Sequence, residues 1–323
     1  MKELLNNIRI TGKLIEKESK EIIIKNGDRA GEEALSLNLI LRTADDSEHE
    51  VKFFAYKYTR DENKQTTNEL NYFYEQYMDV IDNFKDIKQC AEGENPDIIS
   101  ITDGKFSDND FKSSKTSDVI STNEIRAKFI NRVEPKDYDS TVLEAKFEVE
   151  GIVASIKDEM VKNTPTGNLE VKLNAIGQHA DGFGKDAKYE ANKFIPIKMI
   201  VDKGMADGFK KAGYYDTCFA KFVGTIINTA EVTEIIEKAA FGDDIKKKAT
   251  KHIRRNEIKS GTKPSTIFEH ELTQDIVDAL KSKRKAKLAE VKAGFASDSN
   301  EGSAFTPDTN TAPQTNYNPF ASN

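Results

Sequence analysis

Cysteine is almost missing from these 323 residues: there are two, Cys90 and Cys218. They make no C-x-x-C and no disulfide framework, which leaves a reducing cytoplasm as the expected location. Long apolar runs are missing as well. Nothing approaches the roughly eighteen consecutive apolar residues of a membrane span, so no membrane partner is expected. The opening MKELLNNIRI has neither the apolar core nor the small-residue cleavage site of a secretory signal. Recognisable catalytic chemistry is equally sparse. His49, His179, His252 and His270 are scattered, none at metal-ligand spacing from Cys or a carboxylate, and read as surface residues. There is no Gly-x-Ser-x-Gly elbow and no Cys-His pairing. GQHADGFGK, Gly177 to Lys185, fails the P-loop spacing, puts Asp after its Lys, and has no helix directly behind it. Asp108 and Asp110 flank Asn109 in a pattern that turn formation explains as well as a metal pair does. The expectation is a non-enzyme with no catalytic residue, no metal and no cofactor.

Charge is abundant but unevenly placed. The formal net charge is −7, with 32% charged residues against 37% hydrophobic ones, as suits a soluble chain with much surface. Lys246 to Lys292 is basic (KKKATKHIRR, then KSKRKAK), whereas Gly294 to Asn323 carries Asp298, Glu301 and Asp308 and neither Lys nor Arg. A negative total therefore does not exclude a polyanionic partner, because the position of the cations decides.

The most informative feature is a repeat. IRITGKLIEKES (Ile8 to Ser19) and LEAKFEVEGIVASIKDE (Leu143 to Glu159) both run alternating apolar residues into a glycine, Gly12 or Gly151, and continue as strand. Glycine inside a strand marks a bulge or a sharp bend, as at the corner of a small barrel. Each copy is followed by an alternating strand (Leu35 to Thr43; Leu169 to Gly177) and a third strand (Val51 to Thr59; Phe194 to Asp202). A helical stretch comes next, with Leu70, Phe73, Tyr77, Val80, Phe84 and Ile87 as its apolar stripe and Asn68 as its cap in the first copy. Later strands share a core, RAKFINRVE and FAKFVGTII. A helix after three strands is the position that the five-stranded OB-fold barrel uses. The predicted class is mainly β with α additions. OB-like domain 1 spans 1–137 with a helix inserted at about 68–90, and OB-like domain 2 spans 138–230. A basic helical extension at 231–293 and a disordered acidic tail at 294–323 follow. Only one strand after the second helix is evident, Thr217 to Asn228, so the second copy reads as incomplete.

Aromatic and basic residues interleave on these strands. Lys52, Phe54, Tyr56 and Tyr58 share one face of the third strand; Arg126, Lys128 and Arg132 share one face of the last, opposite Ile125, Ala127, Phe129 and Val133. Arg9 and Lys13 share a face of the first strand, Arg42 ends the second, and Lys198 and Lys221 repeat the theme more weakly in the second copy. Cations beside exposed rings suit single-stranded nucleic acid, the cations for phosphates and the rings for bases of any identity. The plainer alternative is core aromatics behind an ordinary solvated face.

ITDGKFSDNDFKS, STNEIRAKFINRVEP, FEVEGIVASIKDE and TCFAKFVGTIINT together resemble the single-stranded DNA-binding proteins of tailed bacteriophages of Gram-positive hosts, over roughly residues 1–230. The resemblance implies OB-fold cores that bind single-stranded DNA without sequence preference in replication and recombination. It also implies a flexible tail that recruits replication proteins. Here Pro319 and Phe320 would serve that tail, although Ala-Ser-Asn follows them and acids are sparse. A structural or assembly protein of a phage particle, with the same β domains used for protein contacts, is the alternative.

Overall fold

The computed structural model describes residues 1–294 except 45, 115, 182–186 and 238–244, with backbone only for 230–237 and 245–252. The first strand, β1 (Asn6–Ile23), alternates as its sequence predicts: Ile8, Ile10 and Leu14 are fully buried and Arg9 is exposed. β2 (Glu33–Arg42) and β3 (Glu48–Tyr56) follow, then a small hairpin of β4 (Tyr58–Arg60) and β5 (Thr66–Leu70). α1 (Tyr72–Asn83) packs against β2 and β3, and β6 (Ile98–Lys112), β7 (Val119–Arg126) and the short β8 (Asn131–Arg132) complete the first unit. β1 pairs with β2 and β6, β6 with β7, and β7 in parallel with β3, which closes a five-stranded ring in the order 1-2-3-7-6. That is the connectivity of an OB fold.

The second unit repeats it. β9 (Glu144–Val161), β10 (Thr164–Asp181), β11 (Lys188–Val201), β12 (Phe219–Glu237) and β13 (Ile245–Gly261) close a ring in which β13 runs parallel to β11, and α2 (Lys203–Lys211) stands between its third and fourth strands. The missing fifth strand is β13. Residues 231–237 and 245–261 are therefore strand where helix was expected; ring closure onto Met199–Val201 overrides a local pattern crowded with lysines. The helical part of the extension is α3 (Gln274–Ala293), whose Val277 and Leu280 join Leu4, Ile152, Ile176, Phe194 and Phe219 in a second apolar cluster. Residues 295–323, the expected disordered tail with Pro319 and Phe320, lie outside the described residues.

The repeated glycines explain the bend. β1 pairs with β6 before Gly12 and mainly with β2 after it, and Ile15, three residues on, is bulged out between Leu14 and Glu16. In β9, Ala154 is bulged out three residues after Gly151. A Cβ on Gly12 would lie 2.9 Å from the Arg42 carbonyl oxygen; on Gly151 it would lie 2.9 Å from Ala175 Cα and meet the Asn174 carbonyl more closely still. Gly151→Ala is expected to cost about 1–3 kcal/mol through overpacking, read as a lower denaturation midpoint. An unchanged midpoint would show that the corner relaxes freely.

The two rings are joined through these same strands. β1 and β9 pair antiparallel with Ile8 opposite Phe147. Counting from Gly12 and Gly151, Ile8 and Phe147 are counterparts, so the copies meet about a local two-fold axis.

Helix α1 starts one turn later than expected, capped by the Asn71 side chain, which accepts from the Phe73 amide at 2.9 Å. Its buried face is Tyr74, Tyr77 and Val80, with Phe84 just beyond; Leu70 and Ile87 are exposed. Lys17 Nζ reaches across from β1 to the Val80 and Phe84 carbonyls at the helix end, supplying the cation that the last turn lacks.

Candidate nucleic-acid interface

Period-two alternation puts Val51, Phe53 and Ala55 in the core and Lys52, Phe54 and Tyr56 on the outer face of β3. Parallel pairing sets Lys52 beside Arg126 of β7, and Arg126 in turn faces Lys105 of β6. Glu124 accepts from Lys52 Nζ at 2.9 Å and from Arg126 Nε at 2.5 Å, so two cations share one carboxylate. Lys105 and Lys128 are exposed and make no ion pair among the described residues. Phe54 meets Tyr56 edge-on at 5.0 Å, and the Arg29 guanidinium lies 3.4 Å from the Tyr56 ring centroid. Burial pushes the Tyr56 hydroxyl above its ordinary value, so the ring stays neutral at physiological pH. Opposite this wall stands the far end of the β10–β11 hairpin, with Gln178, Tyr189, Asn192 and Lys193. The two walls enclose a cleft of about 800 Å³.

The walls are bolted together behind the cleft. Asp108 and Asp110 of β6 receive Arg284 and Lys287 from α3. Arg284 binds Asp110 through both terminal nitrogens at 2.5 and 2.6 Å, and Lys287 binds Asp108 at 2.6 Å. Lys193 of β11 lies 3.1 Å from Asp108. Burial alone would raise the Asp108 pKa; Lys287 and Lys193 outweigh it and hold the carboxyl at about 2. The Asp-Asn-Asp pattern is thus part of a strand that anchors a helix, neither a turn nor a metal pair. Among the described residues no group of three His, Cys, Asp or Glu could hold a metal ion.

A family model described as YorF matches residues 5–294. The chain belongs to the YorF family. No curated protein sequence matches this YorF-family chain. Among solved structures, a deletion mutant of the single-stranded DNA binding protein from Thermus aquaticus aligns at 13% identity. That alignment covers 82% of this chain and 96% of that one, with a TM-score of 0.42. A Replication Protein A heterotrimer bound to ssDNA aligns at 12% identity over 77% of this chain, with a TM-score of 0.21. There the YorF-family chain spans about half the other's length, 49%. Its barrels are defined by their own strand pairing.

The cleft of the YorF-family chain gathers Lys52, Phe54, Tyr56, Arg126 and Lys128 from the residues singled out in the sequence. The others lie elsewhere. Arg9 is exposed beside Lys146 on the β1–β9 seam. Lys13 bonds Asn95, Arg42 pairs with Glu48 at 2.5 Å, Lys198 with Glu170 at 2.6 Å, and Lys221 with Glu148 at 2.6 Å. Tyr58 is not on β3, which ends at Tyr56; it belongs to β4. Nor do Arg126, Lys128 and Arg132 line up. The chain leaves the strand after Arg126, because the Lys128 and Phe129 amides donate to Asp103 and the Tyr77 hydroxyl holds the Lys128 carbonyl at 3.0 Å. Arg132 then pairs with Asp97 at 2.7 Å. The same turn brings out Phe129, which alternation sets on the face opposite the cations; it is 45% exposed and lines the cleft beside them. Lys105 and Tyr189 are not legible in the sequence, since the fold alone sets them against β3; Lys193, a cation of the weaker second-copy pattern, is brought to the same cleft. One of the histidines is not a surface residue: His49 is buried near Thr43. His270 is half-buried and stacks on Phe219 at 3.7 Å.

The second barrel does not repeat the cleft. β11 aligns with β3 and β13 with β7, so Lys52, Phe54, Tyr56 and Arg126 correspond to Ile200, Asp202, Gly204 and Glu257. The rings are gone because β11 ends at Val201 and α2 begins at Lys203. Glu257 is buried between Arg255, at 3.0 Å, and Lys259, so this face neutralises itself.

Proposed function

We propose that the chain binds single-stranded DNA without sequence preference and without catalysis, in the cleft between the first barrel and the β10–β11 hairpin. The observation that carries this reading is the juxtaposition of Phe54, Tyr56, Phe129 and Tyr189 with Lys52, Lys105, Arg126, Lys128 and Lys193 in one groove. Rings offer stacking surfaces to bases of any identity, and cations offer phosphate contacts that release counterions. A duplex has its bases already stacked and turned inward, so rings in a narrow cleft favour the single strand. Binding is passive: the protein coats the strand and removes its secondary structure. The setting implied by the sequence resemblance, replication and recombination of phage DNA with Pro319 and Phe320 recruiting replication proteins in the cytoplasm, belongs to the same proposal.

Fluorescence anisotropy of labelled oligo-dT, its duplex and the matching RNA at several salt concentrations tests it. Two to five phosphate contacts give a slope of log affinity against log salt of about −1.4 to −3.5. Single strands are expected to bind with such a slope and duplexes weakly. No single-strand binding at low salt would overturn the reading, and preference for the ribo-oligomer would transfer it to RNA.

A further inference from the structure

Three aromatic rings continue the cleft outward. Phe129, at its rim, meets Phe73 edge-on at 5.3 Å, and Phe73 meets Tyr72 edge-on at 5.5 Å. Phe73 packs on the core, but Phe129 and Tyr72 are 45% and 63% exposed, and Leu70 beside them is exposed too. These rings hold their places without needing burial: Asn71 caps α1 and fixes Tyr72 in its first turn, while Asp103 and Tyr77 pin the bend that presents Phe129. Exposed apolar side chains scattered singly are ordinary; a contiguous run continuous with a groove marks an interaction surface.

We propose that Tyr72, with Phe73 behind it, is a second stacking position that takes the bases of the same single strand as it leaves the cleft past Phe129. The strand is the occupant because the track is continuous with the cleft, shares Phe129 with it, and begins beside the exposed Lys128 and Lys105 at the rim. This inference rests on the single-strand reading of the cleft. It adds that the binding site is longer than the cleft and turns over the start of α1.

The test compares two oligo-dT lengths, about 4 and about 16 nucleotides, which bracket the span of one OB fold. Tyr72→Ala is expected to leave the short oligomer's affinity unchanged and to weaken the long one about tenfold, with Tyr72→Phe restoring it. Phe129→Ala is expected to weaken both. Tyr72 is mostly exposed, so an unchanged melting curve checks that the fold is intact. Equal long-oligomer affinity for Tyr72→Ala and the unaltered protein overturns the track while leaving the cleft standing. Failure of the unaltered protein to bind either length overturns the cleft and, with it, the track.

Discussion

Replacing Phe54 and Tyr56 together by alanine is expected to weaken oligo-dT binding about 30-fold or more, since each stacked base contributes about 1–3 kcal/mol. The two rings stand side by side on the outer face of β3, in edge contact, and Arg29 backs the Tyr56 ring. No charge is removed, so the salt slope should stay as it was; a fall in affinity with a flatter slope would instead indicate a disturbed phosphate path. Lys198→Ala and Lys221→Ala are matched controls. Their cations are held by Glu170 and Glu148 away from the cleft, and each is expected to change affinity less than twofold. If the controls weaken binding as much as the double variant does, the cleft is not the site.

The second large effect concerns stability. Asp110 has no exposed side-chain surface and holds Arg284, which is 12% exposed, in a two-pronged ion pair. Asp110→Ala leaves that guanidinium only Asp108 and the Ser121 hydroxyl, each at 3.2 Å, and is expected to cost about 2–3 kcal/mol, below the range for a buried charge left wholly unpaired, seen as a lower denaturation midpoint. A loss below 1 kcal/mol would mean that α3 is only loosely held. Acid should reproduce part of the effect. The Asp108 carboxyl is held at about 2 in the fold against an ordinary value near 3.9 when unfolded. Its contribution is therefore complete above about pH 4 and is lost as pH falls towards 2. Asp108→Asn should remove that part of the acid dependence.

Much of the fold was legible because barrels write themselves in alternation. Ile8, Ile10 and Leu14, and Phe147 and Val149, are buried as their spacing demands, and the paired glycines marked both corners. The fifth strand of the second ring was illegible because Lys246, Lys247, Lys248 and Lys251 crowd out the apolar positions that reveal a strand, and only pairing with β12 and β11 sets it. For the site, alternation found Lys52, Phe54 and Tyr56, since these three lie on one face of a single strand. It misplaced Phe129 and Arg132, because the break after Arg126 depends on Asp103 and Tyr77, hydrogen-bonding partners distant in sequence. The opposite wall comes from a hairpin more than a hundred residues beyond β3 in the chain, which no local pattern announces.

The seam at Ile8 and Phe147 makes the chain a dimer folded into one polypeptide, and such an arrangement would ordinarily be divalent. Here it is not. The position related by the axis to the stacking wall carries Ile200, Asp202, Gly204 and Glu257, and Asn228 occupies the neighbouring edge by bonding Ser47 and Glu48. Among the described residues the axis-related position thus offers no second cleft of this kind. On the proposed reading, a strand seated in the cleft would have no like groove there to step across to. Saturation at one cleft per chain, with compaction or looping of DNA left to contacts between chains, is the stoichiometry that reading predicts.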